Sequence, residues 1–286
     1  MNTINSILIL GAQGLIGSAL MEVLANRNPL GFDLPECDVT RPDQVRRVLD
    51  KFSPQVVINA TGYTNVDGCE SAPDEARILN SDVPGILARA AREHGSLLVH
   101  LSTDFVFDGH LGRPYREDDA PNPISVYGRT KLAGEEAVRS EGGEWLILRA
   151  AWVFGHRGRD FVRTMIKLAR GNTEIKVVND QTGSPTYSLD FSKGLVKLFE
   201  AGARGTVHLV NSGQTTWFNL ARQALDQAGF EKKTIQPVTT LELARPAPRP
   251  SYSVLDTTRF QELTGDILRS WKEALSAALE REGLLG

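Results

Sequence analysis

The sequence predicts an α/β protein, a doubly wound parallel sheet with a smaller lobe formed mainly by the C-terminal part of the chain. Three observations predict it. The apolar run from Ile4 to Leu10 passes directly into a glycine turn and then a helical pattern. Runs that are apolar on successive residues recur between helical stretches, as strands do when helices cover both faces of a parallel sheet. The length, 286 residues, exceeds the usual size of one hydrophobic core and leaves room for two units.

The first element is the Ile4–Leu10 strand, followed by Gly11-Ala12-Gln13-Gly14-Leu15-Ile16-Gly17 and a helix through Leu20, Val23 and Leu24. Gly11 can make a tight turn, Gly14 can let the backbone approach a pyrophosphate, and Gly17 can let the helix pack close to the strand. A phosphate would sit at the helix N-terminus. The spacing differs from the usual Gly-x-Gly-x-x-Gly fingerprint, yet its place after a buried-type strand points to Rossmann-like dinucleotide binding. Asp33 lies 22 residues after Gly11, where an acidic residue meets the adenosine ribose and would repel a 2'-phosphate. Nearby Arg27 pulls the other way, and Asp33 could instead start the Asp33-Leu34-Pro35 turn. Asp38 and Val39 are placed near the adenine edge, and Thr40 is expected as the N-cap of a helix with Asp43 on its first turn.

Gln55 to Ala60 reads as the third strand, delivering the loop Thr61-Gly62-Tyr63-Thr64-Asn65-Val66-Asp67 to the sheet edge where open α/β sheets bind ligands. A long helical stretch lies within Glu70 to Glu93. The fourth strand, Leu97 to Leu101, carries Ser102-Thr103-Asp104 to the same edge. After a polar excursion, Pro121 and Pro123 flag the entry to a helix holding Tyr127 and Lys131. Four residues apart, these two lie on one helix face. An ammonium beside a phenol favours the phenolate, so Lys131 is expected to lower the Tyr127 pKa. Such a phenol can exchange a proton with a carbonyl or alcohol oxygen, which ketone reduction requires. By itself the pair could equally be an aromatic packed inward beneath a lysine stem.

Trp145 to Arg149 is the fifth strand, leading to Trp152, which could lie against a sugar ring or pack in the core. A helix over Phe161 to Ala169, a strand over Ile175 to Val178 and a polar loop over Asn179 to Thr186 follow, the loop offering the Gln181 amide to a ligand or simply connecting domains. Next come a strand over Gly205 to Val210, a helix over Trp217 to Ala228 and last helices near Thr257 to Gly265 and Trp271 to Glu282. His208 alternates with Val207 and Leu209 and reads as a strand-face residue rather than a base. The proline-punctuated segment Leu241 to Ser253 presents Arg245 and Arg249, candidate diphosphate clamps or solvated linker charges. The expected organisation is a dinucleotide-binding domain over residues 1–150, with strands from about 172–180 and 205–230 added to it. The substrate-binding lobe takes about 151–171, 181–204 and 231–286.

Composition excludes several classes. Hydrophobic residues make up 41% and charged residues 23%, ordinary globular usage. A net charge of -3 and pI near 6.0 give no overall attraction to nucleic acid or anionic membrane. Cys37 and Cys69 supply neither a disulfide framework nor a metal-ligand spacing, and a reducing cytoplasm fits. No metal is expected. Met1-Asn2-Thr3-Ile4-Asn5 lacks a leader pattern and no apolar stretch reaches the ~20 residues of a membrane span.

With these pieces in order, the chain resembles the extended short-chain dehydrogenase/reductase family. The resemblance rests on residues 11–17, Tyr63-Thr64-Asn65-Val66-Asp67, Ser102-Thr103-Asp104-Phe105-Val106-Phe107, Tyr127-Gly128-Arg129-Thr130-Lys131, Arg149 to Gly155, Asn179 to Thr186 and Arg249-Pro250-Ser251-Tyr252-Ser253. The glycine turn and the tyrosine–lysine pair mark the superfamily; the Tyr63–Asp67 loop, the Ser102–Phe107 strand end and the Asp180–Thr186 stretch are narrower and point to its reductases of dTDP-linked 4-keto-6-deoxy sugars. The resemblance implies Thr103, Tyr127 and Lys131 as the catalytic set and NADPH or NADH as hydride donor. It implies cofactor contacts from Gly11, Gln13, Gly14, Leu15, Ile16, Gly17, Asp33, Asp38, Val39, Ala60, Thr61, Gly62, Ser102, Tyr127 and Lys131. Substrate contacts are expected from Thr64, Val66, Thr103, Asp104, Trp152, Gln181, Arg245 and Arg249. The expected partner is a dTDP-sugar, its product feeds surface polysaccharide, and a homodimer is compatible with the reading. Alternatives are a reductase or epimerase of another nucleotide-linked deoxysugar, or a nucleotide-binding regulatory subunit without turnover.

Overall fold

Every residue of β1 (Ile7–Leu10) is buried, which explains its unbroken apolar run: alternate side chains go to opposite helical layers. The computed structural model describes residues 4, 6–155, 157–171 and 174–286. Asn5, within the expected first strand, and Met1 to Thr3 at the chain start lie outside the described residues.

The chain continues through α1 (Leu15–Val23), β2 (Leu30–Phe32), α2 (Pro42–Phe52), β3 (Val56–Asn59), α3 (Val66–Ser71), α4 (Pro73–Arg77) and α5 (Val83–Glu93). Then come β4 (Leu97–Thr103), α6 (Val126–Glu141), β5 (Trp145–Ala150), β6 (Val153–Phe154), α7 (Phe161–Ala169), β7 (Ile175–Val178), β8 (Thr182–Gly183), β9 (Thr186–Tyr187) and α8 (Ser188–Glu200). The remainder is β10 (Gly205–His208), β11 (Thr215–Thr216), α9 (Trp217–Gln227), β12 (Ile235–Val238), α10 (Thr240–Leu243), α11 (Thr258–Thr264) and α12 (Trp271–Arg281).

Six strands form one parallel sheet in the order β2-β1-β3-β4-β5-β10. Ile7, Ile9, Val56, Ile58, Val99 and Leu101 pack toward α1 and α8, where Leu20, Phe191, Leu195 and Leu198 meet them. On the opposite face Leu8, Leu10, Val57 and Leu98 meet Val45 and Leu49 of α2, Leu87 of α5 and Val138 of α6. This is the doubly wound sheet expected. Its strand order reverses between β1 and β3, so the carboxyl ends of those strands open the crevice in which such sheets bind ligands.

A third core belongs to the lobe. Val162 and Met165 of α7, Leu220, Ala221 and Leu225 of α9, Leu275 and Leu279 of α12 and Ile175, Val177 and Ile235 pack together there.

The structure corrects the expected organisation in three places. β7 does not extend the large sheet: it pairs in parallel with β12, from Ile175 opposite Ile235 to Val178 opposite Val238. Lys176 is exposed between buried Ile175 and Val177, the alternation of a strand covered on one face only. β10 does join the sheet, beside β5, but α9 after it packs in the lobe. Conversely α8, expected in the lobe, covers the sheet next to α1.

Two local expectations also change. Arg41, not Thr40, caps α2; Thr40 Oγ1 donates instead to Asp38 Oδ1 at 2.7 Å. The helical stretch before β4 starts afresh at Pro73 after a break at Ala72 and then runs unbroken to Glu93, with Ile78–Asp82 as a π-helical turn within it.

Candidate active site

Gly128 has no Cβ because there is no room for one: it would lie 2.2 Å from the Phe105 carbonyl oxygen. The first turn of α6, whose N-cap Ser125 accepts from Gly128 N at 3.1 Å, is thereby pressed against the corner at the end of β4. That packing puts Tyr127 beside Thr103, and the phenol ring meets Phe105 edge-on at 5.4 Å. Thr103 Oγ1 donates to Asp104 Oδ1 at 3.1 Å and accepts from Phe105 N at 3.2 Å. Asp104 is fully buried; burial pushes its carboxyl up to about 6, against the pull of hydrogen bonds from Ser253 and Thr103.

Lys131 sits one turn after Tyr127 on α6, and its ammonium donates to the Leu101 carbonyl oxygen of β4 at 2.5 Å. Burial lowers its pKa to about 8, with the Glu135 carboxylate acting the other way. Tyr127 is raised well above the ordinary phenol value by burial; the Thr103 hydrogen bond lowers it, and the Asp104 charge adds to the rise. The expected depression of the phenol by Lys131 is therefore not what this protein shows. Loss of hydration sets the direction, and the Lys131 ammonium is turned toward the β4 backbone.

The glycine turn supplies the other wall. A Cβ on Gly17 would lie 1.9 Å from Gly11 O, and one on Gly11, at φ +83°, would lie 2.8 Å from Ala60 backbone atoms. Gly14 is the N-cap of α1 and no side chain caps the helix, so its first N–H groups face the cleft beside Leu15 and Ile16. A dinucleotide pyrophosphate fits this cradle. Asp33 Oδ2 accepts from Gln13 N at 2.9 Å, which holds the carboxylate at the rim of the turn.

These elements bound a cleft of about 790 Å³. Of the expected residues, Gly14, Leu15, Ile16, Ala60, Thr61 and Gly62 line it on one side. Ser102, Thr103, Asp104, Tyr127 and Lys131 lie at its centre, and Thr64, Val66, Trp152, Gln181, Arg245 and Arg249 lie toward the lobe. Gly11, Gln13 and Gly17 shape the turn from behind, outside the lining. Val39 is a core residue of the α2 layer, and the Asp38 carboxylate is engaged by Thr40, so neither side chain is presented to the cleft. Ser102 Oγ points away, donating to Glu135 Oε1 at 2.5 Å. Arg27 pairs with Glu200 at 3.3 Å and takes no part.

On the lobe side, Trp152 has a left-handed backbone, φ +47°, and its indole stacks on Trp217 with centroids 3.7 Å apart and planes 8° from parallel. Gly183 lies under the indole, where a Cβ would come within 2.4 Å of the ring. Gln181 is buried and donates from Nε2 to Thr240 Oγ1 at 2.9 Å. Arg245 and Arg249 both reach Asp67, at 3.3 and 3.0 Å, and Ala247 N donates to the same carboxylate at 3.1 Å. Burial raises the Asp67 pKa, but the Ala247 N–H and the two guanidinium groups outweigh it and leave a net lowering.

Sequence reasoning gave no site role to Trp217, Ser253 or Asp67. Trp217 read only as a helix start, and nothing local in the sequence signals its stack on a residue 65 positions earlier. Ser253 and Asp67 lie in stretches singled out above, and their reach across the chain is visible only in the fold. Among the described residues no group of three or more histidine, cysteine or acidic side chains could hold a metal ion, and no helix is long and apolar enough to cross a membrane. Cys37 and Cys69 are buried free thiols.

A family model described as RmlD substrate binding domain matches residues 5–283. The chain is 41% identical over 281 residues to dTDP-4-dehydrorhamnose reductase of Mycobacterium tuberculosis (strain ATCC 25618 / H37Rv), covering 96% of this chain and 92% of the relative. It is 40% identical over 279 residues to the probable dTDP-4,6-dihydroxy-2-methyloxan-3-one 4-ketoreductase of Streptomyces antibioticus, covering 95% and 93%. Its fold superposes with a TM-score of 0.94 on the crystal structure of dTDP-4-dehydrorhamnose reductase from Bacillus anthracis in complex with NADP, at 34% identity, covering 98% of this chain and 100% of the other.

Proposed function

The chain belongs to the RmlD substrate binding domain family, and on that premise we propose that it reduces the C4 ketone of dTDP-4-dehydro-L-rhamnose to give dTDP-L-rhamnose. A reduced nicotinamide dinucleotide, NADPH or NADH, bound along the glycine turn supplies the hydride. The observation that carries the reading is the convergence of Thr103, Tyr127 and Lys131 at the centre of one cleft, between the cradle of α1 and the lobe.

Tyr127 holds its proton on Oη at neutral pH and can release it to the sugar O4 as negative charge develops there. Thr103 Oγ1, held by Phe105 N, stands beside the phenol and can turn its one proton from Asp104 to the same oxygen. Once the proton has left, the phenolate lies one helical turn from the Lys131 ammonium, which opposes the cost of that buried charge. Trp152, stacked on Trp217 and packed on Gly183, lines the cleft and offers apolar surface to a sugar ring. Arg245 and Arg249 line the cleft, which supports a role in holding the diphosphate of the nucleotide.

The Streptomyces antibioticus relative favours a second reading with the same chemistry, reduction of a ketone on another dTDP-linked deoxysugar. Incubating the protein with a panel of keto sugar nucleotides and following loss of reduced-cofactor absorbance separates the two. Fastest turnover of dTDP-4-dehydro-L-rhamnose supports the first reading; preference for another member of the panel replaces it with the second, and tight cofactor binding with no turnover at all contradicts both.

A further inference from the structure

Behind the cleft floor lies a buried charge cluster that the proposed reaction does not use directly. Glu135 is fully buried, one turn after Lys131 on α6. Its Oε1 accepts from Ser102 Oγ at 2.5 Å and Arg149 Nε at 2.9 Å; its Oε2 accepts from Arg149 Nη2 and Arg139 Nη2, both at 2.7 Å. Arg149 on β5 is itself buried, and Arg139 is about one-third exposed. His208 on β10 lies against Arg149 at 3.4 Å and is held neutral, its pKa pushed down to about 3 by burial and the Arg149 charge. His100 on β4 faces the same region and is also held neutral, by burial and by Lys131.

The charges in this cluster are unequal. Lys131, Arg139 and Arg149 bring three cations to the interior side of α6, His100 and His208 bring none, and Tyr127 is neutral. Glu135 is the carboxylate one turn from Lys131, and Arg149, the Ser102 hydrogen bond and Arg139 hold its own pKa down to about 2 against the effect of burial. Its Ser102 contact also fixes the residue next to Thr103.

We propose that Glu135 is a positioning residue for ketone reduction: anchored by Ser102, Arg139 and Arg149, it holds the strand end that carries Thr103 and keeps the Lys131 ammonium charged beneath the active tyrosine. The proposal rests on the reading of Tyr127 and Lys131 given above. An interior ammonium has lost its hydration and persists only with a compensating anion. Without Glu135, the dehydrated Lys131 ammonium would lose the anion that opposes burial and would give up its proton at a lower pH.

The test uses the full-length protein and two readouts. Nitrogen-15 lysine NMR, with the Lys131 signal identified by its absence in Lys131→Arg, follows the loss of the ammonium in wild type and in Glu135→Gln. The expected midpoint falls from about 8 by about one pH unit, so that the charged fraction above it drops about tenfold. In parallel, the basic limb of the kcat/KM profile moves down by the same amount, and Glu135→Asp restores it in part. Should Glu135→Gln not fold, Glu135→Asp supplies a graded readout: the carboxylate, withdrawn by one methylene, lowers the Lys131 midpoint by less than its removal would. An unmoved Lys131 midpoint in these variants, or an equal loss of rate at every pH, overturns the proposal. If the wild type reduces no sugar nucleotide, the reductase reading fails, while the NMR titration still decides the role of Glu135.

Discussion

Ser253 Oγ donates to Asp104 Oδ2 at 2.5 Å, joining residues 149 positions apart and tying the proline-rich strap to the strand end that carries Thr103. The strap therefore reports on the carboxyl that orients the threonine. Burial puts Asp104 at about 6, and each donor pulls that value down. Ser253→Ala removes one donor, so the carboxyl should keep its proton to a higher pH. Carbon-13 carboxyl NMR checks this: the Asp104 midpoint should lie near 6 in the wild type and above it in the variant. A midpoint that stays or falls contradicts the coupling.

The stack of Trp152 on Trp217 holds a bulky residue in a left-handed backbone conformation that L side chains adopt only under constraint. Trp217→Ala removes the stacked ring and leaves Trp152 supported on one side. The KM for the sugar nucleotide should rise about tenfold, roughly the 0.5–1.5 kcal/mol of an aromatic pair plus lost apolar contact, with kcat much less affected. Steady-state kinetics against the wild type decides it; an unchanged KM would mean that Trp152 keeps its place unaided.

Arg249 is mostly covered and pairs with Asp67 at 3.0 Å. If it holds a diphosphate, Arg249→Gln should weaken binding of the nucleotide product by about 1.5–3 kcal/mol, the scale of one charge-assisted hydrogen bond. Calorimetric titration with the dTDP-sugar measures this directly. Unaltered affinity would return Arg249 to the role of a strap anchor.

Asp33 is held by Gln13 N at the glycine turn, and if the adenosine ribose binds beside that turn its carboxylate would oppose a 2'-phosphate there. Removing its charge in Asp33→Asn should raise the ratio of kcat/KM for NADPH over NADH by about tenfold, since about 1.4 kcal/mol of repulsion is a modest value for two anions in close approach. The ratio, measured with both cofactors at saturating sugar nucleotide, should not change if Asp33 serves only the turn.

Much of the fold was legible because its signals are local. Unbroken apolar runs marked strands buried on both faces, and Phe161–Ala169 and Ile175–Val178 coincide with α7 and β7 as expected. Assigning elements to one layer or another was not local. Lys176 between two inward residues was the cue that β7 is covered on one face only, and its partner β12 lies 60 residues further on. The cleft gathers Thr103 and Tyr127, where motif and strand end coincide in the sequence. It was misread where burial competes with charge: spacing placed a cation near the phenol, but only the packed structure shows that dehydration prevails and that Lys131 turns to the Leu101 carbonyl. The same limit hid Glu135, whose partners come from β4, β5 and a later turn of α6.

The most direct test is a comparison of wild type and Tyr127→Phe supplied with dTDP-4-dehydro-L-rhamnose and reduced cofactor, with the product identified by NMR. The wild type should form dTDP-L-rhamnose, and the variant should turn over about 10²–10⁴-fold more slowly while binding cofactor with nearly unchanged affinity. Near-normal turnover by the phenylalanine variant, or absence of the reduced sugar with the wild type, would contradict the account.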